Sequence, residues 1–298
     1  MDLAPQVVNT TSSYMGTGIV SQILTGIVIV MILYLVLATC EFIYNSFSGM
    51  WKNRVHLFPY TYTSGAKMYT AIQNPSNPEA LTVNVSNNQR SGIEFSYSMF
   101  ININSDTFSS GQANLYHILH KGYNQVYPLL GPGIFCWGNK NTLRVFMNCY
   151  DTWDNYSDID NIPVDKWFHL VVSCKGNTLY VYINGSLKQK MALNGNTPPY
   201  QNYGNVYMFS PRKTTISKSI TTSLEEDPNF SGTGINSSLQ FDGSAKGMTS
   251  RVTYFSYALT YTEIQALMNK GPSRKMSNAD MSLSPYLSDT WWANNEGP

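Results

Sequence analysis

Asp151, Asp154, Asp158 and Asp160 place four carboxylates within ten residues of the 298-residue chain. Oxygen donors gathered in a loop can hold Ca²⁺, which takes six to eight of them. The run lacks the glycine and bidentate glutamate of an EF-hand loop, and turn residues that cap backbone amides account for the same composition. Ca²⁺ is the one cofactor these residues suggest; nothing else in the chain calls for a cofactor. Trp153 and Tyr156 in the same run could stack on a sugar ring. Glu225-Glu226-Asp227 clusters too, before Pro228 in an irregular stretch, where solvated loop charge explains it better than an acid pair.

Other chemistry is sparse. His117 and His120 are three apart in a strand-like segment, and a regular strand points such residues to opposite faces, so joint chelation is not expected. Cys136, Cys149 and Cys174 form no C-x-x-C pair and no secreted disulfide framework. No Gly-rich phosphate loop and no Ser/His/Asp arrangement stands out. No catalytic residue is assigned, and the chain reads as a non-enzyme.

Charged residues are 12% of the chain and the net charge is +1, about half the usual charge content of a soluble domain. Nucleic acid is excluded as a partner, because neutralising phosphates needs a basic face. Hydrophobic residues at 43% and aromatic residues at 13% exclude disorder.

The charge is missing altogether between Asp2 and Glu41. Within that gap residues 19–40 are mostly Ile, Val and Leu, long enough to cross about 30 Å of hydrocarbon as a helix. Ile19, Ile23, Ile27, Val30, Leu33 and Leu37 are its membrane-facing anchors. Residues 1–18 form a polar leader with no Lys or Arg, unlike the basic start of a cleaved signal peptide. Lys52 and Arg54 follow the helix. By the positive-inside rule the C-terminal part faces the cytoplasm, giving a single-pass membrane protein.

Residues 41–79 are expected to form a connector and 80–272 one mainly β, antiparallel sandwich. Short apolar segments such as Leu81–Val85, Ile93–Ile103, Leu143–Cys149 and Leu179–Ile183 are separated by turns at Gly138-Asn139, Gly176-Asn177 and Asn184-Gly185. Thr260-Tyr261-Thr262-Glu263 is a capping box that predicts a short C-terminal helix, stopped by Gly271-Pro272. The stretch from about Arg212 to Ser238 reads as a long loop, and 273–298 as a tail.

Trp167-Phe168-His169-Leu170-Val171-Val172, followed by Leu179-Tyr180-Val181-Tyr182-Ile183-Asn184-Gly185, resembles the central hairpin of concanavalin A-like, laminin-G-type jelly rolls. Phe95–Phe100, Ile118-Leu119-His120-Lys121-Gly122 and Phe241-Asp242-Gly243 through Thr260 fit the same family in order. The resemblance implies a jelly-roll sandwich in which Trp167, Leu170 and Val172 fill the space between two sheets and His169 is structural. The glucanase pattern Glu-x-Asp-x-x-Glu is absent.

The tail, with Pro285-Tyr286-Leu287 and Trp291-Trp292, is similar to the tails of such domains in virion proteins of large double-stranded DNA viruses. This resemblance implies a minor capsid protein linking an inner membrane to the shell, with the bilayer and other capsid or membrane proteins as partners and Tyr286, Trp291 and Trp292 as contacts. Packing of the Trp pair on its own sandwich is the other reading. The alternative function is a membrane-tethered, lectin-like module, Ca²⁺-dependent through the aspartates, with a glycan as partner.

Overall fold

Strand-forming β-branched and aromatic runs, broken by Gly and Asn, set the architecture. The structure is a computed structural model describing residues 18–84, 86, 93–150, 155–193, 198–217 and 238–277. The chain divides into two units, residues 1–52 and 53–298.

The first unit is the helix α1 (Ile19–Lys52). Within it Ser21–Ile43 is long and apolar enough to cross a membrane, and none of it is buried in the protein.

The second unit carries, in chain order, β1 (Arg54–Thr63), β2 (Tyr69–Ala71), β3 (Glu94–Ile103), β4 (Asn114–Gly122), β5 (Gly133–Trp137), β6 (Thr142–Phe146) and β7 (Tyr156–Asp160). These are followed by β8 (Phe168–Lys175), β9 (Thr178–Ile183), β10 (Ser186–Ala192), β11 (Asn205–Met208), β12 (Lys213–Ser217), β13 (Ser238–Ser244), β14 (Gly247–Phe255) and α2 (Tyr261–Asn269). One sheet runs β1-β14-β3-β8-β9-β10 and the other β12-β13-β4-β5-β6-β7, with β11 joining β2 to β4. All pairings among the described strands are antiparallel except β13 with β4.

The sheets pack face to face. Phe95, Tyr97, Met99 and Ile101 of β3 meet Ile118, Ile134, Leu143 and Val145 of the other sheet in one core. Alternate residues supply it, as the two-residue period of a strand requires. Phe168, rather than Trp167, shares the inner face with Leu170 and Val172; Trp167 lies just before β8 and is half-buried. The turn at Asn184-Gly185 has φ of 48° and 74°, the positive values a tight hairpin demands.

Three further sequence expectations are corrected. The connector 41–79 contains the end of α1 and then β1, an edge strand that closes the first sheet by pairing with β14. Its Pro59 sits where the β1–β14 register shifts, so the missing N–H costs no ladder bond. Leu81–Val85 is not a strand over its described residues, because Leu81 and Val83 bond the Gln73 side chain instead. The loop from Arg212 begins with β12, paired to β13; residues 218–237 lie outside the described set.

The capping box forms as expected: Thr260 accepts from the Glu263 amide and Glu263 from the Thr260 amide. The helix it starts covers the outer face of the first sheet, packing Ile264 on Val171, Phe255 and Leu259.

Candidate functional site

The eight-stranded sheet carries the buried polar chemistry on its outer face. Two residues of β4, Ile118 and Leu119, both enter the core, because the ladder with β5 slips by one residue between His117 and Leu119. This β-bulge restores His117 and His120 to one face. Their rings are in contact, Nε2 of His117 lying 2.7 Å from Nδ1 of His120. The amide of Ser210 donates to His117 Nδ1, so His117 carries its proton on Nε2 and donates to His120, which in turn donates from Nε2 to the Tyr123 carbonyl. Both imidazoles are thereby held neutral. Burial pushes His117 well below its ordinary value and His120 down to about 4. Their expected separation on opposite faces is overturned by the bulge, which no residue type announces.

On the neighbouring strands Arg144 is fully buried and forms a two-bond pair with Asp158, Nε to Oδ1 at 2.7 Å and a terminal nitrogen to Oδ2 at 2.8 Å. Its guanidinium lies 3.7 Å from the Tyr156 ring centre and 4.7 Å from that of Trp137, whose indole N–H also reaches Asp158 at 3.3 Å. Asp160 accepts from Thr142 at 2.6 Å. The expected loop of oxygen ligands is therefore, at Asp158 and Asp160, the strand β7, and both carboxylates face cross-strand partners. Asp151 and Asp154 lie outside the described residues. No group of three or more His, Cys, Asp or Glu able to hold a metal occurs among the described residues.

An open cavity of about 200 Å³ lies between the 73–84 coil, Gly131 and the 201–203 segment. Most of its polar lining is spent on structure. Gln201 accepts from Ser86, Asn202 bonds Lys121 and Gly204, and Tyr254 donates to Asn84. Lys121 is the charged group in the lining; it is almost fully buried, donates to the Gly204 carbonyl at 2.6 Å, and is pushed down to about 8 by desolvation. Tyr203 at the rim is 81% exposed.

Residues 77–215 match the family model of the concanavalin A-like lectin/glucanases superfamily. The fold is concanavalin A-like. A search of curated proteins finds no match. Among solved structures the sandwich is similar to the receptor-binding domain of botulinum neurotoxin C/D mosaic serotype (16% identity, TM-score 0.39, 60% of this chain and 36% of that one). It is similar also to the botulinum neurotoxin serotype D ligand-binding domain in complex with N-acetylneuraminic acid (13%, TM-score 0.42, 72% and 51%). A third is Trypanosoma rangeli sialidase in complex with 2,3-difluorosialic acid (14%, TM-score 0.37, 59% and 22%). The chain spans between about a fifth and a half of the length of these proteins.

On the opposite sheet of this concanavalin A-like sandwich, Ser98 Oγ lies 2.8 Å from His169 Nε2. The pair has the spacing of a nucleophile and base, but among the described residues His169 Nδ1 meets no hydrogen-bonding group, and no carboxylate there orients the ring. Burial pushes His169 down to about 4, which makes it a weak base at neutral pH. Its ring tilts against Phe100 at 4.8 Å, a packing role that fits the structural reading. Cys136 and Cys174 are buried free thiols whose acidity burial suppresses. Tyr286, Trp291 and Trp292 lie outside the described residues.

Sequence reasoning did not find the Lys121 cavity. Its walls come from segments more than a hundred residues apart, and only the fold brings them together.

Proposed function

We propose that the chain is a membrane-anchored interaction protein whose sandwich is a non-catalytic binding module, as in a minor capsid protein tying an inner membrane to a shell. One observation carries this reading: Ser21–Ile43 is a continuous apolar helix with no part buried against its own protein. A surface of that size is stable in lipid, whereas in water it would aggregate. Ile19, Ile23, Ile27, Leu33 and Leu37 are all well exposed, ready to meet acyl chains. Ten residues of chain separate Ile43 from β1. With Lys52 and Arg54 following the apolar span, the positive-inside rule favours the cytoplasmic or capsid side for the sandwich.

A second reading, a membrane-tethered carbohydrate-binding module, rests on the cavity with Tyr203 and Lys121 rather than on the aspartates. Protease applied to intact particles or membranes, before and after permeabilisation, separates the two. Protection of the sandwich until permeabilisation supports the first. Cleavage at an outer cell surface, with saturable binding on a glycan array, replaces it by the second.

A further inference from the structure

The outer face of the six-stranded sheet holds another cavity, of about 190 Å³, between the end of α2 and strands β1 and β14. Phe100, Phe255 and Leu267 give it an apolar floor and wall. Arg54, Arg251 and Lys270 line it as cations, and no carboxylate is among its lining residues. His56, which bonds Thr253 at 3.0 Å, is held below its ordinary value first by burial and then by Arg54, Lys270 and Arg251. One imidazole thus feels all three charges.

The backbone marks the same place. Between Ser250 and Thr253 the β14–β3 ladder slips by one residue, and Arg251 at the slip has φ of 52°. That left-handed conformation is costly for any side chain and free for glycine. What arginine adds there is a guanidinium at the cavity. Lys270 caps α2 and would offset the helix dipole with or without a ligand. Arg251 has no such role. Strain of this kind gathers at sites that bind.

We propose that this cavity binds the phosphate of an anionic phospholipid headgroup. The proposal rests on the membrane reading for its lipid source: Arg54 follows Ile43, the end of the apolar span, by eleven residues of chain. A cationic rim over an apolar floor suits a headgroup that carries a glycerol and acyl chains behind its charge. Basic side chains near a membrane surface each contribute roughly fivefold in affinity for anionic lipid.

The test uses the full chain in detergent micelles containing equal phosphatidylglycerol and phosphatidylcholine, with retained lipid counted by native mass spectrometry. Phosphatidylglycerol should be retained in excess. R251G should cut that excess about fivefold while melting no lower than the unaltered chain, and adding K270Q should cut it about fivefold again. Equal retention of the two lipids overturns the proposal. So does an R251G variant that keeps the full excess, or one that loses it only by unfolding. Inorganic phosphate binding, read by ³¹P line broadening, without any lipid preference overturns the lipid source. Alkaline extraction of the same chain from membranes tests the anchor separately. A chain that is extracted but still prefers phosphatidylglycerol refutes the anchor and supports the site.

Discussion

His117 and His120, three residues apart on one strand, share a hydrogen bond of 2.7 Å because a β-bulge at Ile118 turns both to the same face. Their relay runs from the Ser210 amide to the Tyr123 carbonyl and ties β4 to the segments after it on either side. The first two links end on an unprotonated Nδ1, so protonating either imidazole breaks one of them. With His169 it makes three buried histidines that folding holds in the uncharged form.

This predicts acid lability. Each histidine has a folded value below the ordinary 6.5, so the unfolded chain binds protons first as pH falls. Stability is complete above about pH 6.5 and declines toward pH 4, where His120 and His169, both at about 4, have each lost roughly 3 kcal/mol. Urea midpoints measured from pH 7 to pH 4 should fall steeply, with a shallower fall in H120Q. A flat profile down to pH 5 would contradict the neutral relay.

Arg144 has no exposure, and Asp158 is its counter-charge. D158N should leave a buried guanidinium without a full charge partner and cost about 3–5 kcal/mol. In a domain of this size that lowers the melting temperature by about 10 °C. A loss below about 1 kcal/mol would show that the pair is solvated.

Arg144 engages both oxygens of Asp158, and Asp160 accepts from Thr142, so these two aspartates are expected to serve cross-strand pairing rather than a cation. Melting temperature measured in millimolar Ca²⁺ and then in chelator should agree to within about 1 °C. A rise of several degrees with Ca²⁺ would signal preferential binding to the folded chain and restore the aspartate cluster as a metal site.

T260A removes the hydroxyl that caps α2. The expected loss is about 1 kcal/mol, read from denaturant midpoints. Because α2 covers Val171 and Phe255, the loss should be accompanied by faster hydrogen exchange in β8 and β14. Unchanged exchange there would show that the helix is not held by its cap.

The elements governed by local chemistry were readable. Asn184-Gly185, Gly176-Asn177 and the Thr260–Glu263 box announce turns and a cap through residue type alone. The apolar run of α1 does so by length. What failed depended on partners far along the chain. Arg54–Thr63 contains a proline and alternates imperfectly, so it reads as connector until β14 is beside it. Asp158 reads as a metal ligand until Arg144 is seen opposite it. The two histidines read as separated because period two holds only where the ladder is unbroken, and here it slips.

The central claim is that residues 21–43 hold the mature protein in a membrane. It is tested most directly by expressing the full chain, washing the membranes with alkaline carbonate and taking the intact mass of what stays. The account predicts that the chain remains in the membrane pellet at full length, with its apolar helix uncut. A chain released into the wash, or one whose mass shows cleavage after the helix as a signal sequence, would contradict it.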